Sequence, residues 1–492
     1  MEIARHAPDS PDAPFLMGLT QKAAGKPDSA VEFFAKALSK SARRYDAAIE
    51  LVSQNVLLNR YGEARELLDR YSDDLSDNPH YLDMAGQAYF AMSLYEQAWP
   101  LYELAVSLRP DSEAYQAHMA SCAVYLGKID VAKSVYRKIL KKHPKHQRTH
   151  YDLSQIERAQ DISHIKQMLK VLRKSSDVAA DNIHLYYALG KEYEDLGKWN
   201  DAFRYYKKAG EAVKTVADYD VAEDVDLIDT IIRTCSPEWL QDSSSTTATS
   251  RTPIFVVGLP RTGTTLTDRI LSSHSDVQSA GESQLLQMVL RGGTRAGNQI
   301  GISPQQIEAA ARRDSASIAA EYIEAISHRL GDEPYFVEKL PENILYLGLI
   351  AKAWPNVGIV HLRRNPMDAC FAMYKQSFFR FAYSLDDLAK YYLAYDRLSR
   401  HWRDVLAGRV IEVEYEQLVS DQEHQTRRLL EALELPFEEA CLHFEQNAAP
   451  IATASSVQVR EKVHTQSVNK WKKFERQLSP LRAQLEAGGV ST

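Results

Sequence analysis

The sequence predicts an all-α solenoid of helical repeats, followed by an α/β domain with a parallel sheet flanked by helices. Three observations predict this order. Alanines recur every 34 residues in the first half, a polar Ser/Thr stretch follows Trp239, and short β-rich runs alternate with helical patterns after Thr252. We therefore place the helical-repeat domain at residues 14–235, a connecting segment at 236–251 and the α/β domain at 252–492.

The bulk composition is that of a folded globular protein. The chain has 492 residues, 45% of them hydrophobic and 25% charged, which is enough for two or three domains with their own cores. The net charge of -7 argues against a general nucleic-acid binder, so basic groups are expected to act locally. The amino terminus lacks the apolar run of a signal peptide, and no segment offers the roughly 18 apolar residues of a membrane span. We expect a cytoplasmic protein.

The four cysteines predict reduced thiols rather than disulfides or a zinc site. They lie far apart and form no C-x-x-C pair, being Cys122, Cys235, Cys370 and Cys441. We expect most of them to be small core residues.

The first half of the chain carries a helical repeat of 34 residues. Small residues recur at this period, namely Ala30, Ala64, Ala98 and Ala132. A large apolar residue follows each of them four positions later, namely Phe34, Leu68, Tyr102 and Tyr136. Pro110 and Pro144 share the period, and each is expected to stop the second helix of a unit because proline lacks an amide donor. Another unit surrounds Ala202, after an irregular stretch near 159–180.

This helix-turn-helix period resembles the tetratricopeptide repeat, and the resemblance covers about residues 14–215. Such repeats stack into a curved solenoid with a concave face that can hold an extended peptide. The face could therefore recruit a protein partner or the substrate itself. The alternative is a solenoid that only supports the second domain or dimerises, and the sequence leaves the oligomeric state open.

A histidine-rich stretch surrounds one of the repeat-ending prolines. His143, His146 and His150 have no carboxylate or cysteine nearby in the sequence, so we interpret them as a solvated turn rather than a metal site. The basic run 138–143 is interpreted as a charged outer face rather than a nucleic-acid site.

The second domain opens with the pattern of a phosphate-binding loop. Ile254–Val257 is the predicted strand, Gly258 and Gly263 enclose the loop, and a helix starts at Thr264, where free amides and the helix dipole attract an anion. Thr264 stands where a nucleoside-triphosphate loop requires lysine, and Arg261 lies inside the loop. We therefore expect an anion held without a metal. The alternative is a tight strand-to-helix turn.

Three further β-rich runs, at 335–337, 357–362 and 409–413, complete the predicted parallel sheet. The run 357–362 leads into Arg363 and Arg364, where a nucleotide hydrolase would be expected to carry an acidic residue for its metal. Ligands of parallel sheets bind at the carboxyl ends of the strands, so we expect the site there.

Five motifs of the second domain together resemble the PAPS-dependent sulfotransferases. They are GLPRTGTT from Gly258, AGE at 280–282, EKLPEN at 338–343, HLRRNPMDA at 361–369 and VEYEQLV at 413–419. Their order and spacing are most similar to the tyrosylprotein branch and to bacterial-type proteins that fuse it to tetratricopeptide repeats. The resemblance covers about residues 252–475 and implies a P-loop-like sulfotransferase fold with 3'-phosphoadenosine-5'-phosphosulfate (PAPS) as donor. Arginine, lysine and helix amides can neutralise a sulfuryl group without a metal.

The resemblance implies three groups that act on the transferred sulfuryl group besides Arg261. Glu282 matches the general base that takes the proton of the acceptor hydroxyl during in-line attack on sulfur. Lys339 matches the lysine that steadies charge between sulfate and leaving phosphate, and Ser455 matches a serine that donates a hydrogen bond to the same group. The alternatives are a helix-start carboxylate, a surface lysine paired with Glu338, and an ordinary loop serine.

The resemblance also implies the residues that bind the donor. The loop would hold the 5'-phosphosulfate through its backbone, the Arg261 side chain and threonine hydroxyls, with the members Pro260, Arg261, Thr262, Gly263, Thr264 and Thr265. Arg364 would bind the ribose 3'-phosphate with two charge-assisted bonds, and Tyr415 would lie near the adenine. The late segment 463–474, with Lys470 in its basic cluster, would close over the nucleotide.

One position departs from the family pattern. Ala372 stands where the family usually supplies a serine to the 3'-phosphate, and Ser377 or the basic cluster at Lys470 could compensate. The sequence thus predicts a PAPS-dependent O-sulfotransferase acting on a protein tyrosine, a glycan or a small molecule, with adenosine 3',5'-bisphosphate as product. The alternatives are a repeat scaffold whose inactive second domain still binds nucleotide and, disfavoured by the missing lysine, a P-loop kinase or hydrolase.

Overall fold

The chain folds into two compact units. The computed structural model describes residues 9–72, 74–75, 77–241, 251–292, 301–451, 453 and 458–492. The first unit comprises Met1–Val135, Ser327–Arg329 and Ala449–Ala452, and the second comprises Tyr136–Ile326, Leu330–Ala448 and Thr453–Thr492.

Paired helices build the first unit. They are α1 (Asp12–Ala23), α2 (Pro27–Lys40), α3 (Tyr45–Leu57), α4 (Tyr61–Tyr71), α5 (Pro79–Ala91), α6 (Tyr95–Leu108) and α7 (Glu113–Tyr125), and α8 (Ile129–Lys142) contains the boundary between the units. Helices α6 and α8 each end two residues before Pro110 and Pro144, which confirms the predicted stops.

The 34-residue period is a packing period. All eight residues of the two predicted sets are buried, and none exceeds 3% exposure. Helices of a pair approach closely where a glycine faces an aromatic ring: a Cβ added to Gly86 on α5 would lie 2.7 Å from the ring of Tyr102 on α6. The small residues of the repeat therefore make room for the large ones of the next helix.

Further helices of this kind open the second unit. They are α9 (Gln147–Ile156), α10 (Ser163–Leu172), α11 (Ile183–Asp195), α12 (Trp199–Lys214), α13 (Val221–Thr234) and the short α14 (Pro237–Gln241). Residues 242–250 of the predicted connecting segment lie outside the described residues, so that segment stays a prediction.

The interpretation of the histidine-rich stretch as a solvated turn is wrong for His150. This residue lies within the first turns of α9, and its side chain is 1% exposed. Its Nε2 lies 3.0 Å from the carbonyl oxygen of Pro144, and its Nδ1 lies 2.8 Å from Nε2 of His164. Burial lowers the pKa of His150 to about 4, so its imidazole is a neutral core group.

A five-stranded parallel sheet forms the centre of the second unit. Its strands are β1 (Thr252–Gly258), β2 (Val277–Gly281), β3 (Tyr335–Glu338), β4 (Gly358–Arg363) and β5 (Val410–Glu414), in the order β2-β3-β1-β4-β5. Ile254 on the central strand pairs with Val337 on one side and Gly358 on the other. The four predicted strands are confirmed, whereas the edge strand β2 was not predicted.

Helices cover both faces of the sheet. They are α15 (Thr264–Leu271), α16 (Leu285–Leu290), α17 (Pro304–Ala311), α18 (Ser315–Ile326), α19 (Leu347–Ala353), α20 (Pro366–Tyr374), α21 (Leu385–Val405), α22 (Tyr415–Ser420), α23 (Gln422–Ala432) and α24 (Glu475–Ala487). The fully buried Phe255 of β1 packs against Tyr322 and Trp354, with ring centroids 6.2 and 5.7 Å away. The predicted helix start at Thr264 is confirmed.

The helical part of the second unit packs directly on the sheet-containing part. Helix α13 contacts both α17 and α21. The backbone carbonyl of Tyr383 approaches α12 so closely that a Cβ on Gly210 would lie 2.3 Å from its oxygen.

All four cysteines are buried free thiols, as predicted. Among the helices that the structure describes, none combines the length and the apolar character needed to cross a membrane.

Candidate functional site

Each strand of the sheet supplies one part of the candidate site at its carboxyl end. The glycine loop follows β1, and a predicted site residue stands directly after each other strand, namely Glu282, Lys339, Arg364 and Tyr415. The five strands are parallel, so their carboxyl ends lie at one edge of the sheet. The structure therefore brings these residues, far apart in the chain, to the same edge.

The loop after β1 has a backbone suited to an anion. Gly258 and Gly263 have φ angles of 147° and 104°, and Arg261 between them has a φ of 68°. Gly263 leads directly into α15, whose first amides donate no hydrogen bond to a capping side chain. The Thr262 hydroxyl donates to the Leu259 carbonyl oxygen at 2.7 Å and so braces the loop from within. The loop thus presents backbone donors at a helix start.

Side chains at the start of α15 close one flank of the loop. Thr264 and Thr265 are buried, with exposures of 4% and 6%, and the Thr265 hydroxyl donates to that of Thr453 at 3.3 Å. Pro260, at the other end of the loop, is also buried.

Two arginines place positive charge beside the loop. Burial, followed by the charge of Arg364, lowers the pKa of Arg261 to about 10, because each effect disfavours its protonated form. Arg261 Nη2 also donates to Gln458 Oε1 at 3.2 Å. Two neighbouring guanidinium groups repel each other, so an anion that contacted both would stabilise the pair.

Arg364 links the loop to a late segment of the chain. Its Nη1 donates to the Arg261 carbonyl oxygen at 2.8 Å, and its Nη2 donates to the Ser467 carbonyl oxygen at 2.7 Å. Its Nε is buried and has no acceptor among the described residues. The remaining donor is available to a ligand oxygen, and an unsatisfied buried donor is costly.

Tyr415 packs between Arg364 and the loop. The Arg364 guanidinium lies 4.6 Å from the centroid of the Tyr415 ring, and the Tyr415 hydroxyl is 2.6 Å from Ser467 Oγ. A Cβ on Gly263 would lie 2.6 Å from Tyr415 Cδ2, so only glycine allows the ring this close to the loop.

Glu282 and Lys339 form an ion pair at the ends of β2 and β3. The Lys339 side chain is 1% exposed, whereas that of Glu282 is 36% exposed and thus partly open to solvent. The alternative of a surface lysine paired with Glu338 is wrong, because Lys339 is buried and Glu338 accepts a hydrogen bond from Tyr322 at 2.7 Å. A solvent-accessible carboxylate beside a buried ammonium has the arrangement of an oriented base.

A second carboxylate lies near the same lysine. Asp268 on α15 is buried, and burial raises its pKa, while the charge of Lys339 and a hydrogen bond with Ser279 oppose the rise. Lys339 therefore balances negative charge on two sides, Glu282 and Asp268. Sequence reasoning missed Asp268, although its place four residues into the helix after the loop could have indicated it.

Two predicted site residues are not placed at the strand ends. Ser455 lies outside the described residues, and Lys470 has its ammonium 2.5 Å from Glu194 of α11. The Ala372 position is on α20, and Ser377 follows that helix. Their roles toward a donor stay predictions.

Sequence reasoning also missed Tyr151, which belongs to α9 in the helical part of the same unit. Burial raises its pKa, while a hydrogen bond with Ser377 and the charge of Arg261 act in the opposite direction. Tyr151 is therefore hydrogen-bonded to Ser377, in the segment after α20, and the charge of the loop arginine acts on it. No local signal marked it, because its position in a repeat helix is that of an ordinary packing residue.

Both the helical-repeat part and the sheet-containing part of the chain match known protein families. Residues 22–88 and 118–146 match tetratricopeptide repeats, and residues 253–439 match the sulfotransferase family. Residues 253–439 form a sulfotransferase-family domain. All five strand ends and their site residues lie within this sulfotransferase domain.

Individual relatives share parts of this chain. An uncharacterized protein of Aquifex aeolicus is 33% identical over 61% of this chain and 41% of its own length. A protein-tyrosine sulfotransferase of Drosophila melanogaster is 25% identical over 44% of this chain and 46% of its own length. The chain thus spans less than half the length of these two relatives. The solved sulfotransferase domain of the Synechococcus PCC 7002 olefin synthase has a TM-score of 0.37 and 18% identity, covering 51% of this chain and 100% of that domain.

Proposed function

We propose that this protein transfers a sulfuryl group from PAPS to the hydroxyl of an acceptor. The observation that carries the proposal is the meeting of an anion-binding loop, two arginines and the Glu282–Lys339 ion pair at one edge of the sheet. Membership of residues 253–439 in the sulfotransferase family supports sulfuryl transfer as the reaction.

The residues at the strand ends fit PAPS. Loop residues 260–265 and the Arg261 side chain would hold the 5' end of the donor, and Arg364 would hold the 3'-phosphate. The buried Arg364 Nε without an acceptor, together with the repulsion between the two arginines, supports an anion at this place. When bound, PAPS supplies an activated sulfuryl group and a phosphate leaving group.

Glu282 is the proposed general base. Its carboxylate accepts the proton of the acceptor hydroxyl as the acceptor oxygen attacks, and its partial exposure allows the acceptor to approach. Lys339 orients that carboxylate through their ion pair. Once Glu282 is protonated, the buried Lys339 charge is free to balance negative charge that develops at the leaving phosphate.

The proposed acceptor is a tyrosine hydroxyl in a protein. The similarity of this chain to protein-tyrosine sulfotransferases of Drosophila melanogaster and Danio rerio supports this choice. The tetratricopeptide repeats support it too, because their stacked helices present extended surfaces for peptides. Glycans and small molecules with a hydroxyl are the competing acceptors.

Donor binding is tested by calorimetric titration of the full chain with adenosine 3',5'-bisphosphate, ADP and ATP, each without magnesium. We expect micromolar binding selective for the 3'-phosphorylated nucleotide. Selective binding of ATP with magnesium would favour a kinase or hydrolase, and failure of all three nucleotides to bind would remove the proposal.

Transfer is tested with PAPS carrying radioactive sulfur and a panel of tyrosine peptides, glycans and phenols. Label on a peptide tyrosine is the expected result, and label only on a glycan or a phenol would change the acceptor class. Nucleotide binding without transfer to any of them would instead support a nucleotide-binding scaffold.

A further inference from the structure

A buried cluster of charges joins a repeat helix to the sulfotransferase domain. Glu194 on α11 is 7% exposed, and its carboxylate accepts from Lys375 at 2.9 Å, from Lys470 at 2.5 Å and from the Tyr206 hydroxyl at 2.9 Å. Burial alone would raise the pKa of Glu194, but the charges of the two lysines outweigh it and lower the pKa to about 2. Glu194 is therefore an anion that two cations share.

One of these lysines belongs to the segment 467–474, called the strap below. The strap touches the candidate site at its start, where Ser467 accepts from Arg364 at 2.7 Å and its Oγ lies 2.6 Å from the Tyr415 hydroxyl. Glu194 holds the strap three residues later, at Lys470. The same short segment is thus fixed at one point by donor-binding candidates and at another by a repeat helix.

Hydrogen bonds from backbone amides of the strap to the side chain of Asp368 make the strap stiff between these two points. The amides of Asn469 and Trp471 donate to the two carboxylate oxygens of Asp368 at 2.7 and 2.9 Å. Phe474 at the end of the strap packs against Phe371, with ring centroids 4.4 Å apart. A displacement of Lys470 would therefore carry Ser467 with it.

We propose that Glu194 is a positioning residue for the nucleotide: through Lys470 it holds the strap in the place where Ser467 engages Arg364 and Tyr415. Without its charge, Lys375 and Lys470 would face each other as unbalanced cations. The Lys470 side chain is 41% exposed and that of Lys375 is 16% exposed, so repulsion would displace Lys470 rather than Lys375 and would remove the contact that ties the strap to α11. This inference rests on the proposed function, since it assigns the strap to a nucleotide site.

The first test compares Glu194→Gln with Asp195→Asn in the full chain. Asp195 is the matched control, because it lies on the same helix and its carboxylate pairs with Lys191 at 2.7 Å and accepts from the Ala159 amide at 2.9 Å instead of contacting the strap. By calorimetry with adenosine 3',5'-bisphosphate, we expect Glu194→Gln to bind about tenfold more weakly, which corresponds to a strap correctly placed about a tenth of the time. Asp195→Asn should bind like the wild type. Equal affinity of all three proteins, or equal weakening in both variants, would overturn the proposal.

The second test follows the strap itself by amide hydrogen exchange in the nucleotide-free protein. Exchange at Asn469 and Trp471 should accelerate in Glu194→Gln and in the milder Lys470→Gln, which keeps the Glu194–Lys375 pair. Unchanged exchange in both variants would overturn the proposal, even if Glu194→Gln folded poorly. If the wild type failed to bind adenosine 3',5'-bisphosphate, the proposed function would be wrong. The exchange data would still show whether Glu194 positions the strap.

Discussion

Gly263 offers the sharpest test of the loop geometry. An alanine at this position places its Cβ 2.6 Å from Tyr415 Cδ2, and ordinary contact begins at 3.4 Å, so the ring must retreat by 0.8 Å. The retreat stretches the 2.6 Å contact between the Tyr415 hydroxyl and Ser467 and loosens the stacking of Arg364. Gly263→Ala should therefore weaken binding of adenosine 3',5'-bisphosphate.

The expected loss of nucleotide affinity follows from the two contacts of Tyr415 that would be weakened, the hydrogen bond with Ser467 and the cation–π contact with Arg364. A hydrogen bond contributes about 1 kcal/mol and an exposed cation–π contact about 0.5 to 1 kcal/mol. Losing part or all of both costs about 1 to 2 kcal/mol of nucleotide binding, which corresponds to about a five- to thirtyfold rise in Kd.

Backbone strain must be separated from this effect. Gly263 has a φ of 104°, so any alanine there is strained whatever the space around it. Gly408→Ala is the control, because Gly408 has a φ of 78° with no atom within 4 Å of an added Cβ. Gly408→Ala should lose about 1 to 2 kcal/mol of unfolding free energy, measured by urea denaturation, and Gly263→Ala should lose more, because the displaced Tyr415 ring adds to the backbone strain. Only Gly263→Ala should lose nucleotide affinity by calorimetry; equal affinity in the two variants would refute the assigned role of Tyr415.

Three further experiments test other parts of the structure. Glu282→Gln should lower the transfer rate by about 10² to 10⁴ and leave calorimetric nucleotide affinity within a few fold, whereas an unchanged rate would exclude Glu282 as the base. The depressed pKa of His150, about 4 against 6.5 for the free group, means that only the unfolded chain gains a proton at first as pH falls below 6.5. Unfolding free energy should therefore drop by up to about 3 kcal/mol between pH 6.5 and 4, and His150→Gln should remove this part of the slope. Gly86→Ala would collide with Tyr102 and should lower the unfolding free energy, measured in urea, by about 1 to 3 kcal/mol. Gly62→Ala lies on an open helix surface and should raise the unfolding free energy by about 0.5 to 1 kcal/mol. Equal effects of the two substitutions would contradict the packing of the repeat.

The sequence was sufficient to locate those candidate site residues that follow the end of a buried strand. The run 254–257 is continuously apolar, and the run 357–362 is apolar apart from His361, because both faces of the sheet are covered, so the ends of both strands, and the residues that follow, could be located. Strand β2 was missed because it is an edge strand of five residues, Val277–Gly281, with polar side chains and only two buried positions. Its end was still marked by the motif that contains Glu282.

Contacts between the repeat helices and the sulfotransferase domain could not be predicted. Glu194, Lys375 and Lys470 each resemble ordinary surface charges in the sequence, and only the folded chain brings the Glu194 carboxylate into contact with both lysines. His150 was misread for the same reason: its neighbours are polar in sequence, yet its position on α9 turns the ring inward. Packing between segments that are distant in the chain determines whether such residues are buried, and the residues around them in the sequence do not indicate it.

The shared cluster at Glu194 limits how this chain can be divided or recombined. A cut in the Ser/Thr stretch would separate the carboxylate from both of its lysines and strip α12 and α13 from the domain surface they cover. Exchanging the whole repeat array for that of another protein would preserve the motifs of the candidate site but leave Lys375 without its counter-charge. An exchange of repeats that keeps the Glu194 cluster intact is therefore expected to be tolerated only upstream of α9, so that the last repeats remain with the sulfotransferase domain.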